Sequence, residues 1–334
     1  PTRTTTATHH QWSGNAVTGA SDAPRTASAR PRPPRKLFGR TVPEPVLSAG
    51  RRATDGWGLL TYRFRPLPEF MVIGAKRCGT TSLYFQLLQH PGMLPLYPSA
   101  KLLPKARDTK GVHYFDTQSD RGDAWYRSHF PSVLKRSVAA TRLGYEPQTG
   151  EASPYYLHHP LAAQRAARTN PSVRLVALLR NPVERTYSHY REQRRNGVEQ
   201  LSFAEALDAE LGRTAGEHER LLADEHAVSF PHEQQSYVAQ SEYIHGIRRW
   251  LELFDRRRLL VIPSEQFYPD PSGTADEIYS FLGLPELGRR PERVLNAAPK
   301  EPMDPGIHRM LTGHFAPLNR ELATVLDQQF DWDD

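Results

Sequence analysis

Cysteine is almost missing from this chain: Cys78 stands alone among 334 residues. One thiol makes no internal disulfide, and such scarcity fits a reducing, cytoplasmic setting. No run of eighteen apolar residues occurs, so no membrane-spanning helix is expected. An apolar stretch of signal-peptide length is also lacking near residue 1, so that end does not read as a secretory signal. No Cys/His cluster has metal-ligand spacing; His9-His10 and His158-His159 are isolated pairs. Net positive charge is missing where folding is expected. Residues 1–65 hold eleven Lys or Arg against three Asp or Glu, and the remaining 269 residues carry a net charge of −2 although the whole chain carries +6. A nucleic-acid-binding body would show the opposite distribution.

Residues 1–65 are rich in Thr, Ser, Ala, Pro and Arg, without apolar periodicity. They read as a disordered basic leader, a solvated tail in preference to an arm for an anionic membrane or polyanion. Trp57–Phe64 suggests a short strand or clasp. Residues 66–334 are ample for a single domain.

The informative stretch is Phe70–Pro91, FMVIGAKRCGTTSLYFQLLQHP. Phe70–Ile73 reads as a buried strand, and Ser82–Gln89 as a helix with Leu83, Leu87 and Leu88 on one face. A glycine-bounded loop between strand and helix directs backbone N–H groups and the helix dipole at an anion. Gly74 and Gly79 fit the spacing of a nucleotide triphosphate loop. The lysine that should follow the second glycine is absent, however, and Thr80 takes its place. The cations lie inside the loop as Lys76 and Arg77. This disfavours ATP or GTP hydrolysis, while an ordinary strand–turn–helix junction stays open from the loop alone.

A second landmark narrows the choice. Val173–Leu179 reads as another buried strand and runs into Arg180-Asn-Pro-Val-Glu-Arg-Thr-Tyr-Ser188-His-Tyr190. A strand ending in R-x-P-x-x-R-x-x-S-x-Y, after a G-x-x-[KR]-x-G-T-T-x-L loop, resembles the sulfotransferases that use 3′-phosphoadenosine-5′-phosphosulfate (PAPS). The likeness is to the branch that includes heparan sulfate sulfotransferases and bacterial relatives, and it runs from about residue 68 onward. It implies an α/β, P-loop NTPase-like three-layer fold with a central parallel sheet flanked by helices. It also implies that Lys76, Arg77, Gly79, Thr80, Thr81 and Ser82 hold the 5′-phosphosulfate, with Cys78 a small filler in the same loop. Arg180 and Ser188 would hold the 3′-phosphate, and Lys300 would close the nucleotide site. Arg77 takes the place of the family's usual lysine at the bridging oxygen. No metal is required by that chemistry.

One departure concerns catalysis. The family's K-E-x-H-F-F segment corresponds to Lys110-Gly-Val-His-Tyr-Phe115, so the base glutamate is replaced by Gly111. His113 is one substitute, since imidazole titrates near neutrality; a hydrogen-bonded structural histidine is the alternative. In an alternating strand, Lys110 and His113 would face opposite ways. Glu151, in the segment matching the family's E-K-S-P-x-Y, is the second possible base or a brace for its loop. Ala152 replaces a lysine there.

Further along, Arg185 and Arg191 read as solvated or paired helix charges, and Val228–Gln235 as a loop near the acceptor cleft. Tyr237–Phe254 reads as a helix, Leu259–Pro263 as a third strand and Ala275–Leu282 as a helix capped by Gly283. Two last helices are expected at Ile307–Phe315 and Leu318–Phe330. The sequence leaves three functions: a PAPS-dependent sulfotransferase acting on a carbohydrate, lipid or small metabolite; a nucleotide kinase or NTPase; or a nucleotide-binding protein with weak catalysis.

Overall fold

Phe70–Gly74 forms the central strand, β1, with all five residues buried. The computed structural model describes residues 36–37, 40–41, 44–98, 110–288 and 302–332. Around β1 lie Met93–Leu94 (β2), Gln148–Ala152 (β3), Arg174–Leu179 (β4) and Leu259–Pro263 (β5). The sheet order is β2-β3-β1-β4-β5 and every neighbouring pair is parallel. A parallel sheet must be covered on both faces, which is why β1 and β4 are nearly unbroken apolar runs. The expected parallel sheet is present, with two strands beyond the three read from sequence. Strand β2 is only two residues long. Strand β3, Gln-Thr-Gly-Glu-Ala, carries no apolar run, because its buried Glu151 is satisfied by hydrogen bonds instead of hydrophobic contact.

Among the helices of the described residues are α1 (Glu44–Leu60), α2 (Thr80–Leu87), α3 (Gly122–Ser128), α4 (Pro182–Arg195), α5 (Phe203–Thr214), α6 (Tyr243–Leu251), α7 (Pro271–Leu282) and α8 (Pro305–Leu326). None in the described residues is long and apolar enough to cross a membrane. Helices α2 and α7 are tied by the Tyr279 hydroxyl, which donates to the Gln86 and Leu87 carbonyls. One core joins the sheet to α2, α6 and α7 through Leu83, Ile247, Trp250 and Ile278. A smaller core gathers Val183, Tyr190, Phe203, Tyr237, Leu311 and Phe315 between α4, α5 and α8.

Several element boundaries differ from expectation for identifiable reasons. Within the stretch read as leader, α1 is helical, and Tyr62–Phe64 is a 3-10 turn, not a strand. Arg65 closes that turn, with its guanidinium on the Phe130 carbonyl at 2.5 Å and over the Tyr97 ring at 4.0 Å. The helix expected over Tyr237–Phe254 begins only at Tyr243. The Glu210 carboxylate accepts from Val238 N and Ala239 N, drawing that backbone into a 3-10 turn. The two C-terminal helices are one, running through Pro317. Leu311 and Phe315 before the proline and Leu322 and Leu326 after it are all buried. Their burial outweighs the roughly 3 kcal/mol that an interior proline costs.

Candidate active site

The site lies beyond the C-terminal ends of β1 and β4, where ligands bind in open parallel sheets. The loop between β1 and α2 turns sharply: Arg77 has φ 73° and Gly79 φ 96°. Gly79 is required on two counts. Its backbone is left-handed, and a Cβ there would come within 2.6 Å of the Tyr268 hydroxyl oxygen. The loop is pinned from behind by Ser264, whose hydroxyl donates to the Cys78 carbonyl at 2.7 Å. Gly79 offers no side-chain cap to α2, so Thr80, Thr81 and Ser82 open the helix with backbone N–H groups suited to an anion.

Arg77 joins the two landmark motifs. Its Nε donates to Ser188 Oγ at 3.2 Å, and its guanidinium pairs with Glu192 one turn further along α4 at 2.5 Å. Arg180, at the end of β4, pairs with Glu184 at 2.8 Å. Asn181 caps α4 by accepting from Val183 N, and Pro182 occupies the first turn, where its missing N–H costs nothing. Lys76 Nζ meets the Glu233 carbonyl at 3.1 Å, Glu233 Oε1 at 3.4 Å and Gln234 Oε1 at 3.2 Å. Burial pulls the Lys76 pKa down, and the Glu233 charge is the main force opposing it.

Cys78 is buried, and burial pushes its thiol pKa up. That suits a filler and not a nucleophile. Arg185, read as a solvated or paired helix charge, is fully buried in α4. It donates to the Lys76 carbonyl at 2.9 Å, the Tyr237 carbonyl at 2.9 Å and Gln240 Oε1 at 3.0 Å, bolting the loop to α4. Lys300 lies outside the described residues.

On the other wall, Lys110 Nζ donates to Thr80 Oγ1 at 3.3 Å, and burial lowers its pKa to about 8. The segment after Lys110 is irregular, with His113 at φ 57°, so the alternation of a strand does not apply to Lys110 and His113. His113 Nδ1 meets Asp116 Oδ2 at 2.9 Å, and its side chain is 40% exposed while that of Asp116 is fully buried. Partial burial works against the imidazolium, yet Asp116 outweighs it and raises the His113 pKa. Glu151 differs completely. It is fully buried and accepts from Val112 N (2.8 Å), Ser153 Oγ (2.7 Å), Tyr126 (3.0 Å) and Tyr156 (2.9 Å). Burial raises its pKa against those donors. Gly111 sits tightly: a Cβ would lie 2.6 Å from the Ala152 carbonyl oxygen and 2.9 Å from Ser153 Oγ.

His158-His159 are not an isolated pair. The His158 ring stacks on His232 at 4.3 Å, and His232 Nδ1 bonds the Tyr155 hydroxyl at 2.7 Å. Burial lowers the His158 pKa strongly and brings His232 to about 4 and His159 to about 3, so the cluster is neutral at pH 7. No group of His, Cys, Asp or Glu able to hold a metal occurs among the described residues. Sequence reasoning did not single out Asp116, Glu192, Glu233 or Gln234. Glu192 carried a signal, four residues after Ser188 on one helix face. Glu233 and Gln234 carried none.

Residues 67–303 match the family model described as "sulfotransferase domain". The human bifunctional heparan sulfate N-deacetylase/N-sulfotransferase 3 is 32% identical over 222 residues, 65% of this chain and 22% of that protein. The chain thus spans about a fifth of that relative's length. The mouse heparan sulfate glucosamine 3-O-sulfotransferase 6 is 24% identical, covering 80% of this chain and 75% of that one. The crystal structure of a sulfotransferase from Alicyclobacillus acidocaldarius superimposes with a TM-score of 0.57 at 28% identity, covering 80% of this chain and all of the other.

Proposed function

Because this chain belongs to the sulfotransferase family, we propose that it is an enzyme moving a sulfonate group from PAPS to a hydroxyl, or less readily an amine, of an acceptor. The observation that carries this reading is the Arg77–Ser188 hydrogen bond, which brings the loop motif and the strand-end motif, 111 residues apart, into one site. Two neighbouring anion sites suit a nucleotide with phosphates on its 5′ and 3′ sides. The donor supplies an activated sulfonate; the chain supplies position and charge.

Backbone N–H groups at Gly79–Ser82 and the Lys76 ammonium would hold the 5′-phosphosulfate, and Arg180 with Ser188 the 3′-phosphate. Lys110, beside Thr80, adds a cation at the sulfonate end. Arg77 stabilises the negative charge that grows on the bridging oxygen as the sulfur–oxygen bond breaks. Arginine keeps its charge there but gives no proton to the leaving phosphate. The acceptor oxygen bonds to sulfur in line while the electron pair of the broken bond goes to the 5′-phosphate. As in phosphoryl transfer, such catalysis rests on positioning and charge neutralisation.

His113 takes the acceptor proton. Its Nδ1–H donates to Asp116, which leaves Nε2 as the proton acceptor and fixes the ring. Glu151 is assigned to bracing, since four donors already surround it. The relatives named for heparan sulfate favour a carbohydrate acceptor over a lipid or small metabolite. The test follows PAP (adenosine 3′,5′-bisphosphate) released from PAPS over an acceptor panel. His113→Ala should abolish most turnover and leave PAP binding intact. Full turnover in His113→Ala would remove His113 from this role. PAP binding without PAPS turnover in the wild type would favour the nucleotide-binding reading, in which the carboxylate lost at Gly111 ended catalysis.

A further inference from the structure

Lys76 has three N–H donors, and the three acceptors facing it all come from one short π-helical turn, Pro231–Gln235. Such turns are rare and concentrate at functional sites. Neutral groups pin the turn. His232 Nδ1 meets the Tyr155 hydroxyl at 2.7 Å, Gln193 Nε2 donates to Gln234 Oε1 at 2.9 Å and Gln240 Nε2 donates to the Glu233 carbonyl at 2.8 Å. The Glu233 carboxylate makes the longest of the three contacts to Lys76, 3.4 Å, and its side chain is 24% exposed. It can rotate away without unmaking the turn.

The charges explain why it is there. The Lys76 side chain is only 14% exposed, and a buried ammonium without a counter-ion is costly. Glu233 is the main group that keeps Lys76 protonated against burial. A phosphosulfate seated on the loop offers Lys76 a second anion, and the two compete for the same N–H groups. Arg77 is placed differently, since Ser188 shares it with Glu192.

We propose that Glu233 is a stand-in anion for the donor nucleotide. It neutralises Lys76 while the site is empty, yields Lys76 to the 5′-phosphosulfate, and recaptures it as the bisphosphate product leaves. Glu233 is thus a positioning residue that weakens product binding and speeds release. The proposal rests on the sulfotransferase reading and deepens it.

Calorimetric titration of the full chain with PAP and with adenosine 3′-monophosphate tests it. Glu233→Gln keeps the size and the hydrogen bond but removes the competing charge. PAP should then bind about five- to tenfold tighter. The 3′-monophosphate, with no 5′ anion for Lys76, should bind as it does to the wild type. Glu233→Asp, which shortens the reach to Lys76, should give a smaller gain of the same sign and covers the case in which the glutamine variant does not fold. Unchanged or weaker PAP binding in these variants overturns the proposal, as does an equal gain for both nucleotides. A wild-type protein that binds no PAP overturns the sulfotransferase reading and this inference with it. Wild-type binding without a gain in the variants removes Glu233 alone.

Discussion

The walls of this site that we assign to the nucleotide and to the acceptor are built by different means. On the nucleotide side, groups come from strand ends and the first turns of helices: Gly79 to Ser82 after β1, Arg180 to Ser188 after β4. Their positions follow from local geometry, because a glycine-bounded loop entering a helix presents N–H groups wherever it occurs. On the acceptor side, position depends on pairing across long sequence distances. His113 N donates to Ser153 Oγ, 40 residues on, and Glu151 accepts from Val112, 39 residues earlier. The first kind of site repeats with its motif. In the second, Gly111 is packed so closely that a Cβ would lie 2.6 Å from the Ala152 carbonyl oxygen.

The largest expected effect lies on the nucleotide side. Arg77→Ala removes the cation proposed for the bridging oxygen and should lower kcat on the order of 10²–10³-fold, measured as PAP released from PAPS. Arg77→Lys, which restores the family's usual residue, should stay within about tenfold of wild type. A loss as deep as that of alanine would show that the guanidinium fork on Ser188 and Glu192 matters more than its charge.

The acceptor side should give a smaller catalytic effect and a clearer split between chemistry and folding. His113→Ala should lower kcat about 10²-fold with PAP affinity unchanged. Glu151→Ala should act through stability instead, costing about 3 kcal/mol in urea unfolding because four buried donors lose their acceptor. Gly111→Glu tests whether the missing carboxylate can be put back. A Cβ there meets the Ala152 carbonyl oxygen at 2.6 Å, so the variant should lose about 1–3 kcal/mol of stability and gain no rate.

Acid should weaken the fold through the histidine cluster at the Pro231–Gln235 turn. Burial holds His232 near pKa 4 in the fold, below its unfolded value of about 6.5. The unfolded chain therefore binds more protons between those values, and stability rises with pH across that window. Lowering the pH from 6.5 to 4 should cost on the order of 3 kcal/mol through His232 alone. Replacing His232 with Phe should flatten that slope in thermal unfolding.

Much of the fold was legible for the same reason as the nucleotide wall. Strands β1, β4 and β5 are apolar runs, and α2 follows its loop directly. Strand β3 escaped because its burial is satisfied by hydrogen bonds to Glu151, a cause that no hydropathy pattern carries. The early start expected for α6 failed on a single carboxylate, Glu210, which takes Val238 N and Ala239 N from outside the segment. Arg185 looked like any solvated or paired helix arginine, and only the remote Lys76, Tyr237 and Gln240 acceptors enclose it. In each case the deciding partner is remote in sequence, and periodicity reports only neighbours.

The most direct test of the central claim is calorimetric titration of the purified protein with adenosine 3′,5′-bisphosphate, beside ADP and ATP. Binding of the bisphosphate well ahead of both, lost in Arg180→Ala, is the expected result. Preference for ATP, or no binding of the bisphosphate, would contradict the assignment of the two anion sites to a 3′-phosphorylated sulfonate donor.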